Sequence, residues 1–290
     1  MTESKTKQSW LLFALITTIS WGIWGALIEF PEKNGFPATL GYVAWALTMI
    51  PCATTALYLT NWKLDKDPKS ILLGMLVGLS GAGGQIALFQ ALREGPAYLI
   101  FPIVSLYPIL TILLSTIIIK ESATRKQAIG IGLALIAIFL LSYNGDSDED
   151  SSNIWWLVLS ASVFISWGLQ GFAMKFSNES MSAESIFFYM ALAANLFSPI
   201  AYFMTDFNQY INLGWNGAWS AFIIHFLNSI GALTLVYALR YGKSIIVVPL
   251  TGLSPVITII LSLILYGVWP STVLYLGILT ATIALYLISE

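Results

Sequence analysis

Charge is what this sequence has least of. Asp, Glu, Lys and Arg supply 10% of its 290 residues, against about 25% in soluble domains. The mean hydropathy is +0.79, and every polar stretch is too short to form a soluble domain. Cysteine is scarcer still. A lone Cys52 excludes an intrachain disulfide and any cysteine-based metal site, and reads as a small apolar core residue. Histidine occurs once, at His225. A net charge of −2 with no basic cluster gives no reason to expect nucleic acid as a partner. No metal, nucleotide or other cofactor motif is visible, so no cofactor is expected. No Asp or Glu lies deep in an apolar run, which argues against proton exchange driven by a buried carboxylate.

What the chain does have is long apolar runs. Ten are visible, at 10–30, 38–60, 70–92, 96–119, 126–143, 154–175, 183–205, 216–239, 243–266 and 270–288. Most reach the roughly 20 residues needed to cross a bilayer as a helix. In lipid they must be helices, because every backbone polar group needs an internal partner. With the N-terminus inside, eleven of the thirteen Lys and Arg fall on the cytoplasmic side, and only Lys33 and Arg93 lie outside. That bias predicts cytoplasmic termini. The expected fold is an all-α polytopic membrane protein of ten transmembrane helices, in a plasma membrane or bacterial inner membrane.

The chain also says one thing twice. Ala91-Leu92-Arg93-Glu94-Gly95, Pro102 and Ser105-Leu106-Tyr107-Pro108 return as Ala238-Leu239-Arg240-Tyr241-Gly242, Pro249 and Gly252-Leu253-Ser254-Pro255. The offset is 147 residues throughout (91 to 238, 102 to 249, 108 to 255). Ile19-Ser20-Trp21-Gly22 likewise echoes Ile165-Ser166-Trp167-Gly168, at an offset of 146. The pattern reads as a duplication: a first repeat over 1–143, an acidic external linker over 144–153 and a second repeat over 154–290. Five helices per repeat is an odd number, so the second repeat enters the membrane from the opposite face. The halves become inverted repeats, an architecture shared by many secondary transporters.

Proline removes a backbone donor and clashes with the carbonyl four residues back. Pro102, Pro108, Pro249 and Pro255 therefore break one helix in each repeat. The carbonyls they free either sit at simple kinks or face a polar cavity. His225 and Asn228 lie three apart near mid-membrane, on one helical face. Their repeat partners are Gly78 and Gly81, so this polar pair exists on one side only. Gln85, Gln170 and Tyr107 are further polar candidates. Trp21 and Trp24 are deep tryptophans able to wall a cavity, and Trp167 repeats Trp21. A structural hydrogen bond is the competing role for His225, and packing or lipid contact for the tryptophans. Proton coupling, if present, would run through His225, because imidazole titrates near neutral pH.

On the duplicated segments Gly84–Ile117 and Gly231–Ile264 the chain resembles the drug/metabolite transporter superfamily, in its ten-helix branch of paired EamA-like repeats. Lys120-Glu121 resembles an acidic mark those repeats often carry after the fourth helix, and Gly267-Val268 departs from it in the second copy. The resemblance implies a secondary transporter of a small solute, such as a metabolite or amino acid, with a cavity among helices 1, 3, 4, 6, 8 and 9. It implies no enzyme and no particular substrate. Four-helix relatives use a glutamate deep in the first helix. This chain has Trp21 and Trp24 there, so their proton–drug exchange does not carry over. Two other readings compete. Gly78-Leu79-Ser80-Gly81 matches a rhomboid-like pattern, with Ser80 as nucleophile and His225 as base of an intramembrane serine protease. A non-transporting membrane scaffold is the other.

Overall fold

The computed structural model describes residues 2–94, 100, 103–142, 154–266 and 271–289. Pro102, the linker 144–153 and Gly267-Val268 lie outside the described residues. The first repeat contributes α1 (Thr2–Leu27), α2 (Ala38–Leu59), α3 (Pro68–Glu94), α4 (Tyr107–Leu114) and α5 (Arg125–Ser142). The second contributes α6 (Trp155–Ser177), α7 (Ala183–Phe203), α8 (Ser220–Tyr241), α9 (Ser244–Thr251), α10 (Ser254–Tyr266) and α11 (Thr272–Ser289). No strand occurs among the described residues. Among the described residues, seven helical spans are long and apolar enough to cross a membrane, and Ile103–Ile119 and Thr272–Ile288 are shorter apolar helices. The chain is an integral membrane protein. Its large apolar side chains face outward as well as inward: Leu12, Phe203, Ile264 and Leu279 are all exposed. A bilayer satisfies such a surface and water does not.

Small residues set how closely the helices cross. A Cβ added to Gly84 on α3 would stand 2.7 Å from the Trp167 indole of α6, and one on Gly231 of α8 would stand 2.5 Å from the Trp21 indole of α1. These are the same contact made twice, since Gly84 and Gly231 are repeat equivalents, as are Trp21 and Trp167. Hydrogen bonds repeat in the same way. The Thr111 hydroxyl of α4 donates to the Gly168 carbonyl at 2.8 Å, and the Thr258 hydroxyl of α10 donates to the Gly22 carbonyl at 2.9 Å. Between α5 and α11, Gly130 packs against Ile288 and Gly277 against Leu141. The two repeats exchange equivalent contacts, as a twofold relation between them requires.

Two of the repeat prolines, Pro108 and Pro255, stand at helix starts. Pro108 is the second residue of α4 and Pro255 the second of α10, where a missing N–H costs little. The turn before each closes identically, through Leu106 N–H to Ile103 O at 3.3 Å and Leu253 N–H to Leu250 O at 3.1 Å. Pro249 lies inside the short helix α9. Pro108 therefore does not leave an orphaned carbonyl within a continuous helix, because the helix has already ended at Leu106.

The loops are tied down at both ends of the bundle. At one end, Asp65 of the α2–α3 loop accepts hydrogen bonds from the Ser182 N–H at 2.7 Å and the Ser182 hydroxyl at 2.8 Å. The Ser182 hydroxyl caps α7 by accepting from Ser185 N–H, an orphan donor of the first turn. At the other end, Asn212 N–H donates to Gly35 O at 2.9 Å, and the Asn212 amide donates to Asn34 O at 2.9 Å.

Two measurements test this packing. Gly231→Val forces a branched side chain into the Trp21 indole and is expected to destabilise by about 1–3 kcal/mol, the cost of overpacking; melting in detergent reads the loss, and adding Trp21→Ala is expected to recover part of it. The Asp65 latch is pH-sensitive. Partial burial would raise the Asp65 carboxyl, but the hydrogen bonds from Ser182 and Ser185 outweigh it and hold the group below its ordinary value of 3.8. A carboxyl depressed on folding adds stability above its unfolded value that is lost as pH falls through its folded value. The melting temperature of Asp65→Ala is therefore expected to lie below the parent's at pH 7, with the two converging below about pH 4.

Candidate functional site

Four helices from both repeats line a narrow, partly open cavity of about 10 Å³, room for about one water molecule. Trp24 and Ile28 enter it from the end of α1, Tyr42 and Trp45 from α2, and Gln85 and Phe89 from α3. His225 and Asn228 enter from α8, the one contribution of the second repeat. The 3.6-residue turn explains the pairing: 42 with 45, 85 with 89 and 225 with 228 each place two side chains on one helical face. Among the described residues no charged side chain lines this space.

The polar groups are held by one another. Trp24 Nε1–H donates to His225 Nδ1 at 3.1 Å, and Trp45 Nε1–H donates to Asn228 Oδ1 at 3.1 Å. Trp21 Nε1–H donates to the Asn228 backbone carbonyl at 3.3 Å. Thr48 on α2 completes the seam, meeting the His225 carbonyl at 3.3 Å and the Ser229 hydroxyl at 2.8 Å. His225 is buried, 6% exposed, and faces the bundle rather than lipid. A nitrogen that accepts a hydrogen bond carries no proton, so this His225 is a neutral imidazole with its proton on Nε2. Gly41 lets that edge approach α2: a Cβ there would stand 3.1 Å from Nε2.

The structure thus brings Trp24, Gln85, His225 and Asn228 around one cavity, with Trp21 directly behind Asn228. Tyr107 and Trp167 form a separate edge-to-face pair, 5.9 Å between ring centres. Gln170 packs against Gly81 of α3. Tyr42, Trp45 and Phe89 were not anticipated from the sequence. The three-residue spacing of Tyr42 and Trp45, the same as Trp21 and Trp24, is the signal that was available. Helix 2 takes part in this cavity although the family resemblance did not include it. Ser80 makes no hydrogen bond to His225 among the described residues, and His225 Nδ1 is already occupied by Trp24. The geometry offers no support for a serine nucleophile. Among the described residues no group of three or more His, Cys, Asp or Glu is gathered as a metal site would need.

A second polar cluster closes one end of the bundle. The Glu121 carboxylate accepts from the Ser244 and Ile245 N–H groups, each at 3.1 Å, and from the Ser244 hydroxyl at 2.8 Å. These are orphan donors at the start of α9, and a negative charge there is favoured by the helix dipole. Lys175 Nζ lies 3.8 Å from Glu121 and donates to the Leu239 and Gly242 carbonyls at 3.1 and 2.8 Å. Both side chains are largely buried, 7% and 16% exposed. The repeat equivalent of Lys175 is Glu29, which instead pairs locally with Lys33 at the surface.

A helical membrane bundle built from two matching halves is an architecture shared by many membrane transporters. The family comparison agrees. The EamA-like transporter family profile matches residues 8–143 and 154–290, and the chain belongs to that family. It is similar to an uncharacterised protein of Methanocaldococcus jannaschii, 36% identical over 76 residues, covering 26% of this chain and 56% of that one. An uncharacterised transporter of Archaeoglobus fulgidus is 22% identical over 71% of this chain and 70% of its own length. Protein LicB of Haemophilus influenzae is 23% identical over 61% of both chains. The first and third relatives are thus matched over less than two thirds of their lengths. One crystal structure superposes with a TM-score of 0.78 at 16% identity, over 96% of this chain and 98% of that one, which shows a shared fold.

The cavity's polar seam has a measurable weak point. Asn228→Leu leaves the half-buried Trp45 N–H without its acceptor. The expected cost is about 1–3 kcal/mol, seen as a lower melting temperature together with a shift in tryptophan emission.

Proposed function

We propose that this chain is a secondary transporter of a small polar or amphipathic solute, working by alternating access between two inverted five-helix repeats. The observation that carries the reading is the cavity itself, bounded by α1, α2 and α3 of one repeat and by α8 of the other. A cavity shared between halves changes its access when the halves rock against each other. The ten apolar runs, the repeat division at 144–153 and the cytoplasmic termini belong to the same reading. With that orientation, the Glu121–Lys175 cluster and the Asp65–Ser182 latch fall at the cytoplasmic end. This conformation is then closed toward the cytoplasm, with the cavity nearer the outer end, where Ile28 and Phe89 lie.

In this reading Trp21, Trp24, Gln85, Tyr107, Trp167, Gln170, His225 and Asn228 serve substrate passage or its walls. The neutral His225 holds the cavity's shape through Trp24, and a proton-coupled cycle would have to break that bond when Nδ1 gains a proton. A scaffold that carries nothing is the alternative to be removed by experiment.

The purified protein in proteoliposomes is expected to show saturable uptake of at least one solute from a panel of amino acids, sugars, nucleosides and organic cations. Asn228→Leu is expected to slow it. Absence of flux for every solute with a well-folded protein would favour the scaffold. The closed end has its own test. Glu121→Gln weakens the cap on α9 and the pair with Lys175. It is expected to raise, several-fold, the rate at which an impermeant maleimide reaches Gln85→Cys from the cytoplasmic side, in a Cys52→Ala background. An unchanged rate would remove Glu121 from gating.

A further inference from the structure

The two ends of the bundle carry one fastening in two copies. α3 begins at Pro68, and the helical turn Trp215–Trp219 that runs into α8 begins 147 residues later (215 − 68). Asp65 and Asn212 stand three residues before those starts (68 − 65 and 215 − 212), so they are repeat equivalents. Each reaches the entry to the other repeat's second helix. Asp65 accepts from the N–H and hydroxyl of Ser182, the residue before α7, and its own N–H donates to the Ser185 hydroxyl at 2.9 Å. The Tyr189 hydroxyl of α7 donates to the Asp65 carbonyl at 2.7 Å. Asn212 gives its N–H to the Gly35 carbonyl and its amide to the Asn34 carbonyl, just before α2. At the same end the hydroxyls of Thr39, in the first turn of α2, and Thr205, just past α7, meet at 2.7 Å. Between the two ends the Tyr42 hydroxyl donates to the Ala194 carbonyl at 3.4 Å, and the Asn195 amide donates to the Ala46 carbonyl at 2.9 Å. α2 and α7 are thus clasped to each other at both ends and joined along their length.

The contacts around Glu121 are of another kind. At the 147-residue offset Glu121 answers to Val268, which has no carboxylate, and Ser244 answers to Ala97, which has no hydroxyl. The Glu121–Ser244 bonds, and the bond from the Ser244 hydroxyl to the Ser115 hydroxyl at 2.6 Å, therefore have no counterpart in the other repeat. Inverted repeats reach the opposite-facing state by exchanging their conformations around a fixed centre. A contact made at one end only is exchanged, and so is broken in one of the two states. A contact made at both ends within one conformation survives the exchange. We propose that α2 and α7 form one clasped pair that stays closed at both ends while the rest of the bundle rocks, so that the pair is an axis and not a gate. The inference rests on the transport reading for the rocking itself. Asp65 and Asn212 are the positioning residues of the axis, and the one-sided contacts at Ser244 are what open.

The experiment places spin-label pairs on the full-length protein in lipid nanodiscs, in a Cys52→Ala background. Exposed neighbours of each contact carry the labels: Lys66→Cys with Glu179→Cys across the Asp65 clasp, Glu32→Cys with Asn208→Cys across the Asn212 clasp, and Ser122→Cys with Lys243→Cys across the one-sided contact. Glu121→Gln is then added to each pair to release the one-sided end. Both clasp pairs are expected to give one narrow distance before and after. The pair at 122 and 243 is expected to gain a second, longer distance. A second distance at either clasp would overturn the proposal. So would a distance at 122 and 243 as fixed as the other two, because the clasped helices would then differ from nothing around them. Uptake into proteoliposomes is read separately. Closing a Thr39→Cys/Thr205→Cys disulfide is expected to leave uptake within about twofold, whereas closing Ser115→Cys/Ser244→Cys is expected to cut it about tenfold or more, since locking a moving part stops the cycle. Loss of uptake on closing the first disulfide would also overturn the axis. Movement confined to the one-sided contact, without flux of any solute, would keep the axis and refute the transporter.

Discussion

Each polar group carried into this bundle has to find its partner within the protein, on its own helix or on another, because lipid offers none. That constraint explains most of what is specific about the structure. The Thr111 and Thr258 hydroxyls reach across to backbone carbonyls of α6 and α1. The indoles of Trp21, Trp24 and Trp45 each donate to α8. Glycines stand wherever two helices must come close enough for those bonds to form, as at Gly22, Gly84, Gly168 and Gly231. Apolar contact alone would not select these crossings, since lipid tails are as apolar as leucine.

Twofold equivalence and its failures divide the labour. Where the repeats agree, at the Trp–Gly and Thr–carbonyl contacts, the two halves are held together. Where they disagree, chemistry appears. His225 and Asn228 answer Gly78 and Gly81, so the polar seam belongs to one half only. Glu121 caps α9 and approaches Lys175, while Glu29, the repeat equivalent of Lys175, sits at the surface with Lys33. The unlike residues make the two ends of the bundle chemically different.

Much of this was legible beforehand. Most of the apolar runs returned as helices, because in lipid length and hydropathy leave no other structure, although α1 begins eight residues before its run and 243–266 is divided between α9 and α10. The repeat offset, visible in Arg93 and Arg240 and in four prolines, returned as the offset between equivalent contacts. His225 and Asn228 stood out as polar groups in apolar surroundings. Tyr42, Trp45 and Phe89 did not, because an aromatic residue in an apolar helix looks the same whether its ring meets lipid, another helix or a cavity. Pro108 and Pro255 were read as helix breaks, and each stands as the second residue of a new helix; whether the broken ends form a kink or face a cavity is not visible along the chain.

By itself the sequence determined that the chain is helical and membrane-embedded, that its halves are duplicates, and which polar residues lie among apolar ones. Those are properties of composition and periodicity, and they act along the chain. Only the tertiary structure decided that Trp24 binds His225, that Trp45 binds Asn228, and that Glu121 meets the start of α9 from more than a hundred residues away. Such pairings depend on crossing angle and rotation about each helix axis. A rotation of half a turn would leave every apolar run intact and send each of those side chains to a different neighbour.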